Sequence, residues 1–395
     1  MAPFAGTDTS DATRRTPAAT PLLAQPLLVV PGDDPALLGL DGPGRLEQCF
    51  RLIHGRNPLE VAAGTRAAAA RAGRLKTQVT RTVRGGDGTT KLQVTLDDGC
   101  VVESVLLRDA RPSGSLRLTA CLSTQVGCAV GCRFCRTARM GLHRNLSGQE
   151  ILEQYLHLHR RFGGISNVVF MGMGEPLHNI EAVLAAVRVL GHPLGPAISL
   201  NRITVSTSGV ARGIERLAET ERFTPRAGGR PRLAISLITA RPDVRSRLIP
   251  TALRRDGEPA AALAGLRAAV AAYQARTGHP TTFEVVLMDG VTDTDEDARA
   301  LIDFLQGDGG DSAGRAANHA TTHVPDEPSD ARRPLRGDLN LIAWNPVDDL
   351  PFQAPSRERV DRFAGMLVDA GIVVTYRFPR GTKAGAGCGQ LGTAV

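Results

Sequence analysis

From residue 119 onward, short apolar segments alternate with longer amphipathic ones, and this alternation is the feature that most constrains the fold. The apolar segments predict strands at Asn167–Met171, Arg202–Thr207, Arg232–Leu237, Thr282–Leu287, Leu339–Ala343 and Ile372–Arg377. The segments between them predict helices at Glu150–Arg161, Ile180–Leu190, Val210–Glu219, Pro259–Thr277, Asp295–Leu305 and Arg357–Ala370. Ser147 and Gly371 carry the capping signals of the first and last of these helices. Strands that alternate with helices predict an α/β fold with a parallel sheet, open or closed as a barrel, and chemistry at its carboxyl edge.

The segments outside this alternation predict the domain organisation. Residues 1–36 are rich in proline and polar residues, apart from an apolar patch at Leu27–Val30, and we expect them to be disordered. Residues 37–108 predict a small helical module followed by a β extension, and residues 109–395 the β/α barrel. Residues 307–337 have almost no large apolar side chains, so we expect a disordered insertion there, and His319 and His323 fit a solvated linker better than a metal site.

The composition limits the classes of function. No stretch of eighteen apolar residues exists, and the first twenty residues lack the apolar core of a secretory signal, so we expect a cytoplasmic protein without a membrane span. The net charge of +7 and the pI of about 9.3 suit a polyanionic partner such as RNA. An arginine-rich enzyme that never binds nucleic acid would have the same charge, so composition leaves both alternatives open.

Three of the seven cysteines, Cys128, Cys132 and Cys135, lie within eight residues in the spacing CxxxCxxC. Thiolates are the soft ligands of iron–sulfur clusters, and three of them leave one iron of a 4Fe–4S cluster open. The amino and carboxylate groups of S-adenosylmethionine can chelate that iron, and one electron then cleaves the sulfonium to a 5′-deoxyadenosyl radical. The alternative is a zinc knuckle with a fourth ligand elsewhere, which the position of the loop before a β/α series disfavours.

A glycine-rich turn, Gly172-Met-Gly174-Glu175, follows the first predicted strand of the series. Its glycines allow the backbone to approach a ligand closely, and Glu175 can accept hydrogen bonds from an α-ammonium group. Ser206 and Ser236 end the next two strands, so their hydroxyls face the same barrel mouth and could bind ribose or carboxylate. The alternative for each serine is a local cap with no ligand.

Two further cysteines, Cys121 and Cys388, fall outside the cluster spacing. Two thiols near a radical site predict thiol chemistry, with one as a nucleophile and the other able to resolve a covalent adduct through a disulfide. Cys49 and Cys100 fit the role of small buried hydrophobic residues better.

Together these residues resemble the RlmN/Cfr family of radical S-adenosylmethionine RNA methyltransferases from about Leu37 to Thr393. The resemblance is carried by seven motifs in order: CLSTQVGCAVGCRFCRTARMG with HRNL (121–146), VVFMGMGEPLHN (168–179), ITVSTSGV (203–210), LAISL (233–237), FEVVLMDGVTD (283–293), NLIAWNP (340–346) and GCGQLG (387–392). It implies a radical SAM type of partial barrel, with Gly174, Glu175, Ser206, Ser236, Leu237, Ile238 and Asn345 as contacts of S-adenosylmethionine.

The resemblance also implies a mechanism. Cys388 is first methylated by one S-adenosylmethionine, and a second one, bound to the 4Fe–4S cluster of the chain, yields the radical that activates this methyl group. The carbon radical adds to an electrophilic adenine carbon of RNA, Cys121 resolves the crosslink in a transient disulfide with Cys388, and Glu103 is the proton acceptor. The implied partners are rRNA or tRNA and a flavodoxin- or ferredoxin-type electron donor, and we expect a monomer.

Two segments depart from the family pattern. The chain has Ser236-Leu-Ile-Thr239 where the family has SLHA, and Lys383-Ala-Gly-Ala where the family has an acidic stretch. The clustered cysteines and both further thiols, Cys121 and Cys388, are nevertheless present. For this reason the sequence predicts methylation of an RNA adenine carbon. It leaves open the same methyl-cysteine chemistry on a small molecule or a peptide, and also an RNA-binding relative with little catalysis.

Overall fold

The computed structural model describes residues 25–55, 61–111, 113–219, 229–253, 258–307, 333–348, 350–377 and 380–392. A ten-stranded sheet organises them. Two helices, α1 (Pro43–Ile53) and α2 (Ala63–Ala72), precede it. The first strands are β1 (Gln78–Arg84), β2 (Thr90–Thr95) and β3 (Val101–Ala110), which pair antiparallel in sequence order, as the predicted β extension requires.

The rest of the sheet begins with β4 (Leu116–Cys121), which is antiparallel to β3 and parallel to β7. The later strands are β7 (Ile165–Phe170), β8 (Ile203–Thr207), β9 (Arg232–Ser236), β10 (Thr281–Leu287), β11 (Leu339–Ala343) and β12 (Val374–Arg377), each parallel to the one before it. A separate two-stranded sheet of β5 (Gln125–Gly127) and β6 (Leu142–Asn145) carries the cysteine loop between its strands. This arrangement confirms the α/β prediction, a partial β/α barrel of parallel strands.

Helices connect these strands and cover the sheet: α3 (Arg136–Arg139), α4 (Gly148–Phe162), α5 (Ile180–Leu190), α6 (Ala211–Ala218), α7 (Pro242–Leu248), α8 (Pro259–Thr277), α9 (Asp295–Gln306) and α10 (Arg357–Asp369). The core is formed by their apolar faces and by strand side chains that point outward from the barrel, such as Phe283, whose ring meets Phe304 of α9 at 6.1 Å. Each such fully buried side chain stabilises the fold by roughly 1.5–3 kcal/mol relative to its exposed state. Ser147 accepts a hydrogen bond from the Glu150 backbone and Glu150 reciprocates, so the predicted capping box at α4 is present.

The N-terminal segment differs from the expectation of disorder over residues 25–36. Leu27, Leu28, Val29 and Val30 are buried, the Gln25 side chain accepts a hydrogen bond from the Gln149 backbone at 3.2 Å, and Asp33 pairs with Arg188. The apolar patch is therefore sequestered against α4 and α5, which outweighs the polar composition around it. The expectations for residues 1–24 and for most of the 307–337 insertion, including His319 and His323, lie outside the described residues. The division into domains stays a prediction.

Candidate active site

One cavity of about 210 Å³ opens at the carboxyl ends of the parallel strands. Its lining brings together side chains that are far apart in the sequence. Of the residues predicted for the site, it contains Cys128, Cys132, Cys135, Gly174, Glu175, Ser206, Ser236, Ile238, Asn345 and Cys388. Leu237, Cys121 and Glu103 are buried but are not part of the lining.

The cysteine loop is held in place by backbone hydrogen bonds. The Cys128 backbone N–H donates to the Gly141 carbonyl at 2.8 Å. This close approach needs a glycine at 127, where φ is 74° and a Cβ would lie 1.8 Å from the Gly141 oxygen. Burial raises the pKa of the Cys128 thiol to about 12 and also raises that of Cys132, and the neighbouring cysteine and Glu175 charges add to both shifts.

Three thiols around one cavity are the donor set of a cluster that keeps an open iron. No group of three or more His, Cys, Asp or Glu side chains within the described ranges is arranged to hold a single metal ion. The chemistry of the donors fits a 4Fe–4S cluster, whose positive irons would offset the cost of burying these three sulfurs as thiolates.

The glycine-rich turn after β7 is packed against Gln125. A Cβ on Gly174, where φ is 100°, would lie 2.5 Å from the Gln125 Cβ, so only glycine fits. Glu175 is buried, and its carboxylate accepts hydrogen bonds from the backbone of Leu177 at 3.0 Å and of Ser208 at 2.8 Å. The carboxylate therefore ties the loop after β7 to the loop after β8, and holds both at the rim of the cavity.

The ends of β8 and β9 and the segment after β11 complete the wall. The Ser206 and Ser236 hydroxyls lie 3.3 Å apart, as expected for side chains at the same barrel mouth. Ile238 lines the cavity with φ of 67°, a conformation that is strained for a β-branched residue. Asn345 donates from Nδ2 to the Cys388 carbonyl at 3.0 Å, so it fixes the loop that carries Cys388.

Cys388 and Cys121 are both free thiols in this structure. The Cys388 side chain is accessible from the cavity, but protein surrounds it, and this desolvation raises the pKa of its thiol to about 11, with Glu284 adding to the shift. Cys121 ends β4, and burial together with the Cys388 charge raises the pKa of Cys121 to about 12. The charge of Cys388 thus reaches Cys121, although the two residues are 267 positions apart in the chain (388 − 121).

Glu103 lies on β3 and its side chain is fully buried. Its Oε1 is 3.0 Å from the Lys91 ammonium and accepts a hydrogen bond from Gln93, and its Oε2 accepts one from the Gly392 backbone at 2.9 Å. Lys91 also donates to the Gly385 carbonyl at 3.0 Å. The carboxylate therefore contacts the C-terminal loop that holds Cys388 rather than the cavity.

Sequence reasoning did not single out three charged residues at the site, namely Arg245, Glu284 and Arg377. Arg245 is buried and donates from Nη2 to the Ser208 carbonyl at 2.6 Å and from Nε to the Leu237 carbonyl at 3.1 Å, and burial lowers its pKa to about 10. Glu284 lines the cavity from β10, and burial raises its pKa while the Arg377 charge opposes the shift. The signal for Glu284 was available, since it is the one charged residue in the apolar segment Thr282–Leu287.

The chain and its fold are similar to those of known proteins. The model of the radical SAM superfamily matches residues 122–305. A probable dual-specificity RNA methyltransferase RlmN of Treponema pallidum is 41% identical over 334 residues, which cover 84% of this chain and 85% of that protein. A dual-specificity RNA methyltransferase RlmN of Nitratidesulfovibrio vulgaris is 36% identical over 339 residues, with 84% and 81% coverage. The crystal structure of a radical SAM methyltransferase from Sphaerobacter thermophilus superposes with a TM-score of 0.75 at 34% identity, covering 92% of this chain and 98% of that one.

The partial barrel, the cysteine loop at its mouth and these matches define a radical SAM methyltransferase. This class implies a 4Fe–4S cluster and S-adenosylmethionine as cofactors. Within it, the chain belongs to the RlmN family. Among the helices that the structure describes, none has both the length and the hydropathy that crossing a membrane requires.

Proposed function

We propose that the protein methylates an adenine ring carbon of rRNA, or of tRNA, through an S-methylcysteine formed on Cys388. The observation that carries this proposal is the shared cavity, where Cys388 faces Cys128, Cys132 and Cys135 although the C-terminal loop lies some 250 residues downstream (388 − 135 = 253). The names of the RlmN relatives from Treponema pallidum and Nitratidesulfovibrio vulgaris support RNA as the substrate.

In this proposal, Cys128, Cys132 and Cys135 hold the 4Fe–4S cluster, and Gly174, Glu175, Ser206, Ser236, Leu237, Ile238 and Asn345 surround S-adenosylmethionine. When bound, the cluster supplies the electron that cleaves S-adenosylmethionine and makes a carbon radical available, which can add to an adenine carbon that is not nucleophilic. Leu237 does not line the cavity, so its proposed contact rests on its place between Ser236 and Ile238, which do.

Cys388 is the proposed carrier of the methyl group, since its sulfur is accessible from the cavity and Asn345 fixes its backbone. Cys121 is the proposed resolving residue. After losing its proton, its sulfur attacks the Cys388 sulfur and an S–S bond forms. The carbon–sulfur bond to the product breaks, its electron pair stays on the product carbon, and that carbon takes up a proton to become the methyl group. The buried position of Cys121 beside Cys388 keeps water and external thiols from competing for that step.

Glu103 is the proposed proton acceptor. Its two oxygens are contacted by Lys91, Gln93 and the Gly392 N–H, and these three donors leave one of about four lone-pair positions open for a proton. A flavodoxin- or ferredoxin-type donor supplies the electron, and we propose a monomer in the cytoplasm.

The test compares single cysteine variants of the anaerobically reconstituted protein. Cys388→Ala should abolish methyl transfer while iron content stays at the wild-type level, because this thiol is not a cluster ligand in the proposal. Cys121→Ala should accumulate a covalent enzyme–RNA adduct that is detectable by mass spectrometry. Cys100→Ala is the matched control, since this half-buried thiol does not line the cavity and the variant should retain activity.

The substrate is identified by mass spectrometry of rRNA and tRNA from a strain that lacks the gene. Loss of one methyladenosine, restored by the wild-type gene and not by the Cys388→Ala variant, is the expected result. Undiminished methylation by Cys388→Ala would exclude the methyl-cysteine route. Unchanged rRNA and tRNA in the deletion strain would instead point to a small molecule or a peptide as substrate.

A further inference from the structure

The side chain of Glu284 is only half satisfied. Its Oε1 accepts a hydrogen bond from Asn340 Nδ2 at 3.0 Å, whereas Oε2 has no hydrogen-bond partner among the described residues. The residue is 6% exposed. Buried carboxylate oxygens are normally paired, so an unpaired one in a native site requires an explanation. A ligand that donates a hydrogen bond to Oε2 would provide that explanation.

The position of Glu284 is fixed by its neighbours. Its register partner on β11 is Asn340, and its carbonyl accepts a hydrogen bond from the Ile238 backbone at 3.0 Å. The side chain lines the same cavity as Cys388 and as Arg377 at the end of β12. The Glu284 side chain therefore belongs to a part of the cavity wall whose backbone is held by strand pairing.

The charges of this wall select the chemistry of the ligand. A carboxylate oxygen accepts and a guanidinium donates, so Glu284 and Arg377 present an acceptor and a donor to one cavity. An exocyclic amine next to a ring nitrogen, as in adenine, presents the complementary donor and acceptor. Asn and Gln recognise adenine in nucleic acids by the same pairing of one acceptor with one donor.

We propose that Glu284 accepts a hydrogen bond from the exocyclic amine of an adenine bound in the cavity, with Arg377 facing a ring nitrogen of the same base. This inference rests on the proposed function, which places two adenines at the site, that of S-adenosylmethionine and that of the RNA. Both carry the same amine, so the experiment has one arm for each source.

The nucleoside arm measures binding of S-adenosylhomocysteine and of S-inosylhomocysteine, in which a carbonyl replaces the amine, to the full-length reconstituted protein by calorimetry. The RNA arm measures methylation of a synthetic RNA that carries adenosine or purine riboside, which lacks the amine, at the modified position. Where Glu284 reads the amine, the wild-type protein should prefer the amine-bearing probe by about tenfold.

The variant Glu284→Met keeps most of the side-chain volume and removes the acceptor, so it should bind or methylate both probes of that arm equally. Val286→Ala is the matched control, because Val286 lines the cavity from the same strand without a polar atom, and its preference for the amine should remain. If Glu284→Met loses iron or no longer shows a melting transition, the experiment uses Glu284→Gln in its place. This variant is isosteric and a weaker hydrogen-bond acceptor, so it should prefer the amine-bearing probe less strongly than the wild type does.

Loss of the preference in the RNA arm assigns the contact to the target base, and loss in the nucleoside arm assigns it to the cofactor. A Glu284 variant that keeps the wild-type preference in both arms would overturn the proposal. The proposed function fails separately: if no RNA is methylated by the wild-type protein, the nucleoside arm still reports on Glu284.

Discussion

His54 is a buried imidazole in a pocket that gives its ring nitrogens no hydrogen-bond partner in the described part of the chain. Its ring packs against Phe50 at 4.5 Å. Burial lowers the pKa of His54 to about 3, and the nearby His159, His192 and Arg160 charges lower it further. The cause is physical, since a charged imidazole there would lose its hydration and gain no acceptor.

This pKa makes the stability depend on pH. The unfolded chain binds a proton at His54 near pH 6.5, whereas the folded chain does so only near pH 3. The stabilising contribution is therefore complete above pH 6.5 and is lost as the pH falls from 6.5 toward 3. His54→Phe should flatten the fall in the free energy of unfolding between pH 7 and pH 5, measured by urea denaturation. His143→Gln, at an exposed position on β6, is the control, and a wild-type slope in His54→Phe would contradict the assignment.

At the scale of the element, α4 begins with a full capping box, as α9 does. Ser147 and Glu150 form a reciprocal capping box, and Glu150 also binds Arg144 at 2.8 Å. Ser356 caps α10 through the Arg359 backbone at 3.2 Å, but Arg359 cannot return a hydrogen bond as an acceptor. The two helices therefore offer a matched comparison of a full and a half capping box.

Ser147→Ala should lower the free energy of unfolding by about 1 kcal/mol, and Ser356→Ala by less, because α10 starts on an exposed serine with one cap hydrogen bond. Urea denaturation at neutral pH measures both. Ser147→Ala keeps the bond from the backbone N–H of residue 147 to Glu150, so equal losses in the two variants would show that this reciprocal bond does not strengthen the serine cap.

How closely the sequence predicts the bounds of a helix or strand depends on the strength of its local hydrophobic pattern and of its turn or capping residues. Strand β11 and helices α5 and α8 have the predicted bounds, because long apolar or periodic stretches end there at clear turn or capping residues. The short strands β5 and β6 and the helix α7 were missed, since three to seven residues carry too little periodicity and their order depends on distant partners. The three cysteines proposed to hold the cluster could be picked out from their spacing alone. The unpaired Glu284 oxygen and the Glu103 contacts depend on segments that meet only in three dimensions.

At the scale of the molecule, the first strands and the last segment of the chain close on each other. Lys91 of β2 contacts both the Glu103 carboxylate and the Gly385 carbonyl at 3.0 Å, and Glu103 accepts from the Gly392 N–H. These contacts bracket Cys388 on both sides in the sequence. The antiparallel β extension thus positions the loop that carries the proposed methyl group. The sequence does not suggest this role, because the extension is separate from the parallel barrel strands along the chain.

Lys91→Met should both destabilise the protein and loosen this loop. The variant leaves the buried Glu103 carboxylate without its cation, which costs about 3 kcal/mol in the free energy of unfolding. It also leaves the Gly385 carbonyl without its donor, so the alkylation of Cys388 by iodoacetamide, followed by peptide mass spectrometry under native conditions, should become faster. Lys76→Met removes the same charge at an exposed site and should change neither quantity. If Lys91→Met is destabilised while Cys388 reacts at the wild-type rate, the pair stabilises the fold without positioning the loop. A faster reaction that persists in Lys91→Met/Glu103→Gln would show that the Lys91 contact with the Gly385 carbonyl holds the loop, and a return toward the wild-type rate would assign the loosening to the unpaired Glu103 charge.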